Sequence, residues 1–173
     1  MKLRFPESEI VALAEGYSYA RDENELLSLC ESVKELGYLK KPQLQLLANW
    51  KSPRSAGRID NNDDQFVEDI TGFALNTSSE RARIEALTII DGVGWPTASV
   101  ILHLFHKEPY PILDFRALWS VDVEVRPSQY KFDLWLRYTT YCRVLAENNG
   151  VSMRTVDHAL WEYSKKNQVD NGA

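Results

Sequence analysis

One carboxylate in this sequence stands where it could do chemistry. In residues 89–119, IIDGVGWPTASVILHLFHKEPYPILDFRALW, a Gly92-Val93-Gly94 turn lies between two apolar, helix-periodic runs, and Asp114 follows about twenty residues later, past a proline-flanked turn. The glycines permit positive φ and remove side chains where the backbone must approach something closely, while Val93 turns inward to pin the turn. The second helix starts at once. Its unsatisfied amides and positive dipole end therefore face outward beside the glycines, an arrangement that suits an anion, most commonly phosphate. Asp114 reads either as a carboxylate aimed at developing positive charge or as the N-cap of a short helix at 115–120, and the two roles are compatible. Gly92 and Gly94 read either as that phosphate site or as a plain tight turn between helices.

Other reactive side chains are less suggestively placed. His103 and His106 stand three apart on one helix, but no third ligand is near, so they are expected as surface or half-buried histidines, with no metal. Cys30 and Cys142 lack CxxC spacing, which excludes an iron–sulfur cluster or an all-cysteine zinc site and leaves two buried, reduced thiols. The net charge of −5 argues against a protein coated in positive charge, yet the charge is segregated. Between Leu36 and Ile59 stand Lys40, Lys41, Lys51, Arg54 and Arg58, with no acid among them. That stretch reads as a contact for nucleic-acid backbone or as an ordinary solvated face.

The frame that must position these groups is helical. At 173 residues the chain can form one domain, or two small lobes sharing a core, and bury roughly 70% of the surface an extended chain exposes. Its 44% apolar and 26% charged residues are ordinary globular composition, and no run approaches the roughly 20 apolar residues of a membrane span. The opening MKLRFPESE has no apolar signal core, so a cytoplasmic protein without a membrane partner is expected.

Periodicity predicts an all-α bundle of about nine helices, at 6–20, 22–36, 42–50, 64–75, 79–90, 95–105, just after Asp114, 129–147 and 152–166. Asp22 should cap the second and Gly37 stop it; Ser152 should cap the last. In the fourth helix Phe66, Val67, Ile70, Phe73 and Ala74 form the expected inward stripe. Residues 51–64, KSPRSAGRIDNNDD, read as a polar loop, and the tail from 167 as frayed. Trp135 and Trp161, in long amphipathic helices, are expected to pack inward.

The run LTIIDGVGWPTASVIL, continued through YPILDFR, resembles the helix-hairpin-helix DNA glycosylases of base-excision repair, in which Gly-Val-Gly is followed about one helix later by an essential Asp. The resemblance covers residues 87–119. It implies that Gly92, Val93 and Gly94, with the adjoining Thr97, hold a DNA phosphate through backbone amides and that Asp114 is the catalytic carboxylate. Strand-cleaving members carry a lysine two residues after the second glycine, where this chain has Pro96. The resemblance is thus to monofunctional members, which remove the base and leave the abasic sugar intact. Many relatives carry a four-cysteine iron–sulfur loop, for which this sequence has no counterpart, and are longer chains with an extra domain.

These residues suit that chemistry. Breaking an N-glycosidic bond builds positive charge on the sugar, which a fixed carboxylate stabilises while orienting a water. A base that leaves the duplex needs aromatic surfaces to receive it, and Trp50, Trp95 and Trp119 lie nearest the relevant segments. The whole chain is accordingly expected to be a single glycosylase-like domain, with its hairpin at about 79–106. It would act on damaged or modified duplex DNA without a cofactor, with Lys51, Arg54 and Arg58 on the DNA side. The alternatives are a non-catalytic DNA-binding module built on the same hairpin, or a helical domain whose acidic surface meets a protein.

Overall fold

Side-chain caps mark where several helices begin. Asp63 Oδ1 accepts from the amides of Gln65 and Phe66, Ser79 Oγ from Ala82, Asp114 Oδ1 from Ala117, and Ser152 Oγ from Thr155. Each satisfies a first-turn N–H that the helix itself leaves without a partner. The computed structural model of the chain describes residues 1–19 and 23–168, and among these every regular element is helical, with no strand. The expected cap Asp22 lies outside the described residues, as does most of the tail expected to fray.

Eleven α-helices are described: α1 (Ile10–Glu15), α2 (Asn24–Ser28), α3 (Cys30–Leu36), α4 (Lys41–Lys51), α5 (Pro53–Ala56), α6 (Asp64–Asn76), α7 (Glu80–Leu87), α8 (Trp95–Phe105), α9 (Phe115–Ser120), α10 (Phe132–Asn149) and α11 (Met153–Asn167). The chain divides into two compact units, one of residues 1–19 with 109–173 and the other of residues 20–108. No helix among the described residues is long and apolar enough to cross a membrane.

The first unit is organised by α11, which packs against α1, α9 and α10. Its amino-terminal segment is tied to the end of α9 by two backbone bonds, Lys2 N to Val121 O and Arg4 N to Ser120 O, both 3.0 Å. The core holds Trp135 and Tyr138 of α10, Leu160 of α11 and Leu118 of α9. The helix expected at 6–20 is shorter, because it stops at Gly16 and Tyr17 and Tyr19 leave it to meet rings of α11. The helix expected from 129 begins at Phe132, after a single 3-10 turn opened by Pro127.

The second unit is built around α8, in which every residue from Thr97 to Leu102 is buried. A helix apolar on all sides belongs in the middle of a core, and α8 packs against α3, α4 and α7. The helix expected at 22–36 is two helices, because Leu29 N bonds to Leu26 O in a tight i−3 turn. The polar loop expected at 51–64 is instead largely helical, with α5 followed by a 3-10 turn over Gly57–Asn61. Pro53 supplies a pre-set first helical φ, and Ala56 and Ile59, the apolar residues of that stretch, are fully buried.

On α6 the inward stripe is Val67, Thr71 and Ala74, while Phe66 and Phe73 are 37% and 48% exposed. The polar residue wins the inward position because it completes a backbone. Thr71 Oγ1 accepts from Leu39 N at 2.9 Å and donates to Val67 O at 2.8 Å, so neither the Leu39 amide nor the Thr71 hydroxyl is left unsatisfied.

Candidate functional site

The turn between α7 and α8 is held from beneath by α5 and the 3-10 turn that follows it. Gly92 takes φ +93°, a value only glycine adopts without strain, and a Cβ there would meet Ser55 O at 2.9 Å and Ile59 N at 3.0 Å. Ser55 Oγ donates to Gly92 O at 3.1 Å. Asn62 grips the preceding residue, accepting from Asp91 N at 2.9 Å and donating to Asp91 O at 3.0 Å. The Asp91 carboxylate accepts from Asn61 Nδ2 at 2.8 Å and pairs with Arg58 at 2.8 Å. The Asn61 hydrogen bond, with help from Arg58, holds its pKa below the usual carboxylate value. Val93 is buried, as its inward role requires.

Gly94 differs from Gly92. It is exposed, has the ordinary extended φ of −96°, and a Cβ on it would touch only Pro96 Cδ, at 3.7 Å. It opens α8, with Pro96 in the first turn, beside a groove of about 570 Å3 lined by Ser55, Arg58, Thr88 and the turn itself. Thr97 contributes its backbone to that end of the helix. Its side chain is buried and donates to Ser52 Oγ at 3.1 Å.

Asp114 is fixed by the first unit. The segment leading to it is pinned by three side chains of α10 and α11: Arg143 Nε donates to Pro109 O at 2.9 Å, Tyr138 OH to Ile112 O at 3.3 Å, and Asp157 Oδ1 accepts from Ile112 N at 2.8 Å. Leu113 is fully buried, so the half-buried Asp114 beside it has little freedom. Its Oδ1 caps α9 through Ala117 N at 2.9 Å. Its charge also reaches the buried Tyr130 hydroxyl, whose pKa is pushed up to about 12, first by burial and then by Asp114.

The remaining expected site residues are scattered by role. Of the acid-free basic stretch, Lys41 is committed to Asn62 O and Asp64, and Arg58 to Asp91. Lys40 and Arg54 are exposed and Lys51 half-buried, at the end of α4. Trp50 is buried in the second unit and Trp95 half-buried at the start of α8. The Trp119 ring carries the Arg4 guanidinium 4.4 Å from its centroid and stacks on Tyr163 at 5.9 Å. His103 and His106 are half-buried, and no cluster of three metal-ligating side chains occurs among the described residues. Cys142 is buried and Cys30 half-buried, donating to Leu104 O.

Sequence reading missed two groups. Asn61 and Asn62, which clamp Asp91, were lost inside a stretch that looked only polar. Tyr17, Tyr19, His158 and Trp161 form a ring cluster on the first unit. Its signal was present: His158, Trp161 and Lys165 recur at helical spacing on α11, and a Tyr-Ser-Tyr run follows α1.

No protein-family model matches the chain, and no curated protein or solved structure matches it.

Proposed function

We propose that this chain binds DNA through the α7–α8 turn and hydrolyses the N-glycosidic bond of a damaged or modified base, with Asp114 as the carboxylate that stabilises the developing positive charge. It acts as a monofunctional glycosylase, without lyase chemistry. The observation that carries this assignment is the contrast between the two glycines. Packing inside the protein accounts for Gly92, whereas nothing inside it requires a glycine at Gly94. A bare backbone at an exposed helix start beside a groove is what close approach of a phosphate demands.

In this mechanism the amides around Gly94 take a backbone phosphate, and exposed cations such as Arg54 add sequence-independent attraction. The base leaves the stack, and Asp114, whose position is locked by Tyr138, Arg143 and Asp157 through the chain before it, faces the sugar as positive charge grows. Because the hydrogen bonds of its own unit fix Asp114 before the reaction, the carboxylate needs no reorganisation of its own at the barrier.

A second reading, a DNA-binding module without catalysis, is favoured by one observation: Asp114 is already used as the cap of α9. A panel of lesion-bearing duplexes, incubated with the protein and then treated with heat and alkali to break abasic sites, separates them. Base release supports the glycosylase, binding without release selects the module, and absence of binding at physiological salt overturns both.

A further inference from the structure

The groove beside Gly94 contains an acid. Asp91 lines it together with Arg58 and the turn backbone, and a carboxylate at close range opposes the phosphate assigned to that groove above. Both of its oxygens are occupied: Oδ1 by Arg58 Nη2 and Oδ2 by Asn61 Nδ2, each at 2.8 Å. Asn62 bonds both the amide and the carbonyl of Asp91, so the carboxylate is held at the groove.

The two partners hold Asp91 unequally. Asn61 is the first cause of its lowered pKa, ahead of Arg58. The Arg58 side chain is 66% exposed, and an ion pair standing in water contributes little. Only Nη2 of the guanidinium is used; Nε and Nη1 bond to none of the described residues. Asp60, the acid two residues further on, is exposed and makes no bond to Arg58. A phosphate offers two oxygens to the planar guanidinium fork, a stronger pairing than one carboxylate oxygen.

We propose that Arg58 is the side-chain phosphate ligand of this groove: Asp91 holds it in the free chain, and it exchanges that carboxylate for a DNA backbone phosphate on binding. The inference rests on the DNA-binding reading above. Asn61 makes the exchange possible, because it still donates to Asp91 once Arg58 has left, so no carboxylate is stranded. Until then the Arg58–Asp91 pair has no net charge and adds nothing to long-range attraction. Only a phosphate already seated in the groove is close enough to compete for the guanidinium. Arg58 therefore rewards the correct seat, whereas Lys40 and Arg54, exposed on the same acid-free stretch, attract any nucleic acid.

The test measures binding of a DNA duplex to the full chain over a range of salt concentrations, for wild type, Arg58→Gln, Asp91→Asn and the double variant. Arg58→Gln should flatten the dependence of log affinity on log salt by about 0.9, the loss of one phosphate contact. A residue that merely braces Asp91 would leave that slope unchanged, and an unchanged slope overturns the inference. Asp91→Asn should tighten binding by about threefold to fivefold, because it frees Arg58 and removes a like charge. In the Arg58→Gln background the same substitution should gain clearly less, since only the repulsion is left to remove. Equal gains in the two backgrounds mean that Arg58 stays on Asp91 in the complex, which also overturns the exchange. Arg58→Gln alters an exposed side chain, so its slope decides the matter even if Asp91→Asn fails to fold. Binding that weakens in Gly94→Ala with the slope of Arg58→Gln unchanged sinks this inference alone; a wild-type chain that binds no duplex sinks the DNA-binding reading and this with it.

Discussion

Ser55 encloses Gly92 from two directions: its hydroxyl donates to the Gly92 carbonyl at 3.1 Å, and its own carbonyl oxygen lies 2.9 Å from where a Cβ on Gly92 would sit. Gly92→Ala must therefore bear both a positive φ and a backbone clash. A loss of about 2 kcal/mol or more is expected, seen as a melting temperature several degrees lower. Gly94→Ala meets neither penalty, so its melting should stay within about 0.5 kcal/mol of wild type. The added methyl does stand where a phosphate would approach, so duplex binding should weaken in Gly94→Ala. Melting curves and binding isotherms on the two variants check this, and unchanged binding by Gly94→Ala removes the turn from the DNA footprint.

The parts of this fold that were legible in sequence were those where local chemistry and packing agreed. Ser79, Asp114 and Ser152 announced three helix starts, Gly37 announced a stop, and the helix-periodic apolar residues Ala98, Ile101, Leu102 and Phe105 marked α8. Misreadings arose where a distant partner decided the outcome. Thr71 is buried because Leu39 N needs an acceptor, a need invisible from the sequence of α6 alone. Ala56 and Ile59 were too sparse to look like a core face, yet they seat α5 and its following turn under Gly92. The candidate site split along the same line. Gly92, Gly94 and Asp114 were visible from type and spacing, whereas the Asn61–Asn62 clamp and the ring cluster around Trp161 depend on residues far apart in the chain.

Pro96 occupies the first turn of α8, where its ring nitrogen is tertiary and cannot condense with an aldehyde. Incubation with abasic DNA and borohydride should therefore trap no covalent complex. An adduct that persists in the wild-type chain would show a nucleophilic amine elsewhere and overturn the monofunctional assignment.

Tyr130 provides a readout of Asp114 that does not depend on activity. Burial, and then the Asp114 charge, raise its pKa from 10.0 to about 12, so the folded state favours the protonated phenol. The associated stability is fully present below about pH 10 and is lost as pH rises through about 12. The melting temperature should fall in that window, and Tyr130→Phe should fall less. The tyrosinate absorbance difference between wild type and Tyr130→Phe isolates this residue. In an Asp114→Asn background it should titrate at lower pH, and no change would mean that the Asp114 charge does not reach the ring.

Asp114→Asn tests the catalytic proposal most directly, because the cap and the charge can be separated. Asn presents the same side-chain oxygen to Ala117 N, which Asp114 now holds at 2.9 Å, and Asn is as good a cap as Asp. Stability should therefore change by well under the ~1 kcal/mol that losing a cap typically costs, a loss that Asp114→Ala should show. Duplex affinity should hold, or rise slightly as a negative charge is removed near phosphate. What Asn cannot do is offset positive charge on the sugar, so single-turnover base release should drop by a factor on the order of 10² or more, as for other fixed electrostatic stabilisers. Both variants should then be equally slow although only Asp114→Ala melts lower. If Asp114→Asn releases base at the wild-type rate and only Asp114→Ala is impaired, Asp114 serves α9 as a cap, and the carboxylate for the chemistry must be sought elsewhere.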